Sequence, residues 1–298
     1  KKKMGGGQER DGNREGEEFR SLLRVPFLYL PTACLALSVI IVHLSVSYLY
    51  ITGVSTNMYL TIAILYASSF ASFTVLHDCI HCSVSSSRAM NYLVGTVTGI
   101  FLGPSVTFTA VRHIHLQHHK HTNVEGKDPD LFASSGPGFL LPFKWAAMDC
   151  HYYTNVLTPS QIKTFSKAAL ASIFIQLGLQ FYAMYYFYQT GYFHEALVCW
   201  VIPSRFAIFT LAATFDYLPH SPHVVPITQS RYHTTALMVS HKMLTPLFTC
   251  LLLYQNYHIM HHLYPTIPFP RYKRAYECKK QELDEKKIPV RRLPMHFE

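Results

Sequence analysis

Four stretches of this chain are long and apolar enough to cross a bilayer: Val25–Tyr50, Asn57–Leu76, Lys167–Tyr188 and Ala196–Tyr217. A spanning helix needs about 20 such residues. In lipid, a helix satisfies all of its backbone polar groups within its own segment. These two requirements predict an all-α integral membrane protein with four transmembrane helices. The charge content agrees. Asp, Glu, Lys and Arg make up 14% of the 298 residues, against about 25% in soluble domains, too few to cover a water-facing surface. Two further apolar stretches, Tyr92–Val111 and Leu237–Tyr254, contain Gly or Pro breaks. They are expected to dip into the membrane interface or lie on it.

The polar segments give the topology. The loops "ITGVSTN" (51–57) and "QTGYFHE" (189–195) contain no Lys or Arg. The N-terminal arm, the segment from Arg112 to Lys167 and the tail after Arg271 hold nearly all of them. The positive-inside rule places both termini and the central segment on the cytoplasmic or stromal side. Two out-and-back hairpins satisfy this. Residues 1–24 mix both charge signs with "GGG" and are expected to form a polar, disordered arm. The chain begins at Lys1 without an initiator Met, which points to a fragment or a processed product. The seven cysteines are an odd count, several of them in apolar runs, and do not suggest a disulfide framework. The net charge of +9 is not arranged as a basic stripe with interleaved aromatics, so nucleic acid is not an expected partner. Arg205 falls midway along the fourth stretch and reads either as a functional intramembrane charge or as a snorkelling side chain.

The 18 histidines are clustered. "HDCIH" carries His77 and His81. "HLQHH" carries His115, His118 and His119. "HIMHH" carries His258, His261 and His262. Spacings of i, i+3 and i+4 place side chains on one helix face, so each cluster is expected to aim its rings at one point. By the topology, all three lie on the same side of the membrane. Grouped, buried imidazoles need partners, and metal ions supply them. Eight exceed the four ligands of a structural zinc, so two ions with about four or five ligands each fit better. Imidazole suits iron, zinc and copper alike. A ninth ligand is expected from "FDYLPHSPH", with Asp216 and His220 four apart and His223 as the alternative. Asp128 and Asp130 in "KDPD" read as acceptors that orient ligand rings or as an Asp-Pro turn. Cys79 and Cys82 read as helix packing.

At these residues the chain resembles the membrane fatty acid desaturase superfamily, from about Leu76 to Tyr276. In detail, "VRHIHLQHHKHTN" with "KDPDLF", "FDYLPHSPH" and "QNYHIMHHLYPTIPFPRY" are most similar to the desaturase-like β-carotene hydroxylases. The resemblance implies that residues 25–298 form one membrane desaturase/hydroxylase-like domain, with a cytoplasmic-side helical cap holding a dimetal site. It implies two iron ions (Fe2+), dioxygen as co-substrate and a separate electron donor, ferredoxin or cytochrome b5. His77, His81, His115, His118, His119, His258, His261 and His262 carry over as iron ligands, and His220 joins them. Asp216 carries over as a group near a metal-bound water. The implied reaction is hydroxylation of the β-ionone ring, β-carotene to β-cryptoxanthin and zeaxanthin, on an apolar lipid drawn from the bilayer. The implied place is a plastid membrane. The alternative is an acyl-lipid fatty acid desaturase or lipid hydroxylase, in the endoplasmic reticulum. A metal transporter would place ligands near the bilayer midplane, whereas these clusters fall at helix ends. The basic run "YKRAYECKKQ", with Lys273 and Arg274, is expected to dock an acidic donor.

Overall fold

The structure is a computed structural model that describes residues 15–241 and 243–292. Four long apolar helices run Leu30–Ile51, Met58–Ile80, Lys167–Gln189 and Phe193–Tyr217. They differ from the expected stretches only at their ends, and the protein is an integral membrane protein. The first starts at Leu30, with a proline in its first turn, where the missing N–H is no loss. Asn57 and Ser166 cap the second and third helices through their side chains. The four are not equivalent. Half of the second and of the fourth is buried, against 17% of the first and 11% of the third. The second and fourth therefore form the inner pair, and the first and third face lipid.

Small polar residues let the inner helices approach closely. Ser68, Ser69, Ser72 and Thr74 are buried on the second helix. The Ser69 hydroxyl donates to the carbonyl of Phe101 at 2.8 Å. His43 on the first helix is held by Ser68 at 2.8 Å, an ordinary hydrogen-bonded core histidine.

The stretch around Tyr92–Val111 forms two helices, Arg88–Phe101 and Phe108–His121. Gly103, at φ +133°, makes the turn between them, a conformation that L side chains resist. Gly95 leaves room for the ring of Phe108, which a Cβ would strike. The stretch around Leu237–Tyr254 becomes a strand, Leu237–Val239, and a short helix, Thr245–Leu251. The strand pairs in parallel with Val290–Arg292.

Two expectations change. Residues 15–22, assigned to a disordered arm, are helical. Phe19 supplies the reason. It is buried in a cluster with Ile259, Met260 and Leu263, so burial offsets the cost of ordering this turn. Residues 1–14 lie outside the described part of the chain. Arg205 does not stand alone. Its Nη1 and Nη2 donate to the two carboxylate oxygens of Asp149 at 2.9 and 2.7 Å. Asp149 belongs to the helix Met148–Val156, so this bidentate pair ties the fourth spanning helix to the cap. Burial works against the Asp149 charge, but Arg205 outweighs it and holds the carboxyl below its usual range.

Candidate metal centre

Four segments meet at one end of the spanning helices. His77 lies in the last turn of the second helix and His81 is its C-cap. His115, His118 and His119 lie on Phe108–His121. His258, His261 and His262 lie on the short helix His258–Leu263. His220 follows the fourth spanning helix, whose last turns, Ala212–Tyr217, are π-helical. Such turns are frequent at functional sites. This one carries Asp216 into the wall of the site.

The rings form two sets. His77, His81, His115 and His261 have ligand atoms within 4.8 Å of one another. His119 joins them, its Nε2 standing 2.7 Å from that of His261 and 3.1 Å from that of His115. The second set begins with His118, His220 and His262. His258 completes it, with Nε2 at 3.2 Å from His220 and 3.1 Å from His262. The His118 and His262 nitrogens are 3.4 Å apart. Two nitrogens bound to one ion at about 2.0–2.1 Å stand about 2.8–3.4 Å apart for angles from 90° to tetrahedral. Four of the five spacings fall within that range, and the fifth, 2.7 Å, just below it. Both ring nitrogens of His77, Nε2 of His81 and Nδ1 of His220 and His258 are buried without hydrogen-bond partners. Two metal ions fit this donor set, and unpaired imidazoles packed this way would be costly.

The sequence reading aimed each cluster at one point. The structure corrects this for two of the three. In the second box His115 and His119 serve the first set while His118 serves the other. In the third box His258 and His262 serve the second set while His261 crosses to the first. Helix geometry explains it. At about 100° per residue, positions i and i+4 point about 40° apart, while i+3 and i+4 diverge by about 100°. The i+3 ring of the second and third boxes is therefore free to reach the neighbouring set.

Protonation sets one ring apart from the others. Burial pushes His81, His115, His119, His220, His258, His261 and His262 well below the ordinary imidazole range. That is the neutral form which ligates metal. His118 differs. Burial again disfavours its charge, but Asp128 and Asp130 outweigh burial and raise it to about 9. Its Nδ1 donates to Asp128 at 2.8 Å and lies 3.3 Å from Asp130. Nε2 is thereby turned toward His262. Asp128 also accepts from the backbone N–H of Asn123 and Asp130, so the Asp-Pro turn and the ring-orienting role are one feature. His261 has a weaker support, its Nδ1 standing 3.1 Å from the Tyr272 hydroxyl.

His223, the alternative to His220, belongs to neither set, and its Nε2 is left without a partner. Cys79 is packed in the core, as expected. Two residues passed unnoticed in the sequence. Tyr272 ends the "FPRY" run that follows the third box. Asp78 sits inside the first box, buried, accepting from Thr32 at 2.8 Å and from the Phe269 N–H at 3.3 Å. It joins the first spanning helix, the first box and the tail of the third. An acidic residue between two box histidines, on a helix otherwise free of charge, was the available signal. A small cavity of about 20 Å³ lies between the sets, walled by Phe73, Val111, Phe215, Tyr152 and Asp216 among others. That is room for one water molecule.

The sequence profile of the fatty acid desaturase family matches residues 54–294. The chain belongs to this family. A search of curated proteins found no match. Family membership makes the protein a membrane oxidoreductase of the desaturase and hydroxylase type, with a histidine-built metal site. The matched span contains every histidine of both sets. It also contains Arg205, which the family fold here pairs with Asp149.

Proposed function

We propose that this protein is a di-iron, dioxygen-dependent membrane monooxygenase that hydroxylates the β-ionone ring of carotenoids. The observation that carries the oxygenase part is the split of nine imidazoles, five and four, around a small cavity of water size. A pair of irons held there would supply the oxidation of an unactivated C–H bond. One oxygen atom enters that bond and the other leaves as water, with two electrons from a donor protein and two protons. The chain's own residues do the rest. His118, fixed by Asp128, and His261, fixed by Tyr272, hold their ligand nitrogens in place. Phe73, Val111 and Phe215 keep bulk water from the cavity. Asp216 holds a water or a proton at its wall.

The carotenoid part is supported by His258 at the head of the third box, by "FDYLPH" with His220, and by the "HLYPTIPFPRY" tail. An apolar substrate reaches the site from the bilayer, and a plastid membrane would supply it. A second reading, suggested by the family's description as fatty acid desaturases, is acyl-lipid desaturation, with the endoplasmic reticulum as the membrane. Ferredoxin serves as donor in the first case and cytochrome b5 in the second. Arg274 is less available to a donor than its sequence suggested, because Glu18 and Glu277 hold its guanidinium. Lys273 is exposed and carries the steering charge. The test is expression in a bacterium that accumulates β-carotene, with pigments and fatty acids analysed from the same cells. Hydroxylated rings are expected. Unchanged carotene beside a new double bond in the lipids would replace this reading by the second.

A further inference from the structure

The helix Phe108–His121 carries charge on a second face. Its Arg112, His113, Leu116 and Lys120 line a cavity of about 560 Å³, together with Arg88 and Tyr92 of Arg88–Phe101. At about 100° per residue, these side chains leave the helix on a different face from His115, His118 and His119. Cys82, next to His81, and Ser166, the N-cap of the third spanning helix, are also in the wall. The cavity therefore opens at the histidine end of the spanning helices. Neutral polar groups around it are bonded within the protein. His113 Nε2 stands 2.8 Å from Gln161 Oε1, the Thr164 hydroxyl donates to the Gln161 carbonyl at 2.7 Å, and Asn91 Nδ2 donates to the Ser85 carbonyl at 2.6 Å. The three cations are different. Among the described residues, Arg88, Arg112 and Lys120 form no hydrogen bond or ion pair, and no Asp or Glu lines the cavity. All three are exposed and open to a ligand. A concavity lined by one sign of charge focuses the field and gathers counter-ions.

Two helix starts add to this field. Arg88–Phe101 and Lys167–Gln189 both begin at the cavity, and a helix N-terminus favours an anion. The surface that continues from the cations is apolar. Tyr92, Leu93 and Ile100 on Arg88–Phe101 are 41%, 59% and 42% exposed. A ligand that matches both parts is an anion with a long apolar tail, presented from the bilayer. We infer that this cavity binds the headgroup phosphate of an anionic glycerolipid, whose acyl chains lie along Tyr92, Leu93 and Ile100. Basic pockets between membrane helices suit such headgroups. A zwitterionic headgroup fits less well, because its ammonium group meets the guanidinium groups. The lipid is not the substrate, since its seat is on a face of the helix that the ligand rings do not use. It ties the second-box helix to the start of the third spanning helix, and so steadies three of the nine rings from behind. The inference is independent of which lipid is oxidised at the metal centre.

The test uses the full chain purified in a neutral detergent. Phosphatidylglycerol and phosphatidylcholine with the same acyl chains are titrated in, and bound lipid is counted by native mass spectrometry. Wild type is expected to hold phosphatidylglycerol about tenfold more tightly than phosphatidylcholine. Arg88→Gln with Arg112→Gln should weaken phosphatidylglycerol about thirtyfold, about fivefold for each basic group. Arg88→Lys with Arg112→Lys, which keeps the charge, should restore most of the binding. Lys280→Gln with Lys286→Gln removes as much charge from exposed positions at the tail helix Tyr272–Glu285 and should change little. Equal affinity of wild type for the two lipids overturns the inference. So does equal weakening by the two Gln pairs, which would reduce the cations to ordinary positive-inside charge. Metal content at the wild-type value shows that a variant is folded. If the Arg pair fails that check, the lipid preference of wild type decides alone. Inorganic phosphate at millimolar concentration separates the two sources of the anion. Lipid that stays bound supports the assignment, and lipid displaced by free phosphate overturns it in favour of a soluble anion.

Discussion

The two imidazole sets differ in support more than in content. The five-ring set draws on all three boxes and is fixed by packing, with the Tyr272 hydroxyl on His261 as its one hydrogen-bonded prop. The four-ring set has fewer rings, and its His118 is held by two buried carboxylates. The small cavity walled by Asp216 touches both sets, His77 and His115 of the first and His118 and His258 of the second. An ion held by four rings would leave more room for a further group than one held by five, and catalytic metal sites keep such a position. The difference teaches that one helical box can build two unlike sites, because neighbouring rings of a box point different ways.

The largest expected effect comes from cutting a crossing ring. His118→Ala removes a ligand from the four-ring set, and turnover is expected to vanish. Metal analysis should fall from two ions per chain toward about one, since three remaining imidazoles hold an ion poorly without a fourth group. Loss of both ions would show that the sets do not fill independently. The mirror experiment, His261→Ala, should spare the four-ring set.

Asp128→Asn tests the carboxylate support. Partners of this kind are worth about 10–100-fold in metal affinity or activity, and the loss should be confined to one ion. Equal weakening of both ions would erase the asymmetry described above. Tyr272→Phe removes a neutral hydroxyl from the other set. A neutral hydrogen bond contributes about 1 kcal/mol, so a change of about fivefold is expected. Tyr272→Phe matching Asp128→Asn would mean that the two supports are equal after all. The smallest effect is reserved for His223→Ala. It lies outside both sets, and metal content measured on the purified variant should stay at the wild-type value. A lost ion there would move the ninth ligand from His220 to His223.

Much of this was legible in the chain. The four apolar stretches gave the spanning helices because length and hydropathy decide bilayer crossing locally. The three boxes gave eight of the nine clustered rings because histidine at such short spacings stands out in the chain, although the rings of one box turned out to point to different sets. Arg205 showed as an anomaly, but its partner Asp149 is 56 positions away, and no local pattern links them. Phe19 shows a similar limit. Its helix is marginal alone and exists through packing on the third-box segment, which a polar arm does not announce.

The sequence by itself determined that this is a four-span helical membrane protein with three histidine boxes at one end of its helices. Those features depend on period and composition, which neighbours along the chain carry. The tertiary structure alone decided which ring joins which set, that His220 rather than His223 belongs to the second set, and that Asp78, Asp128 and Tyr272 hold the boxes together. His119 and His261 are separated by 142 positions, yet their nitrogens face each other at 2.7 Å. Contacts of that kind arise from how the helices dock, and docking is set by the shapes and pairings of whole surfaces, which no single stretch contains.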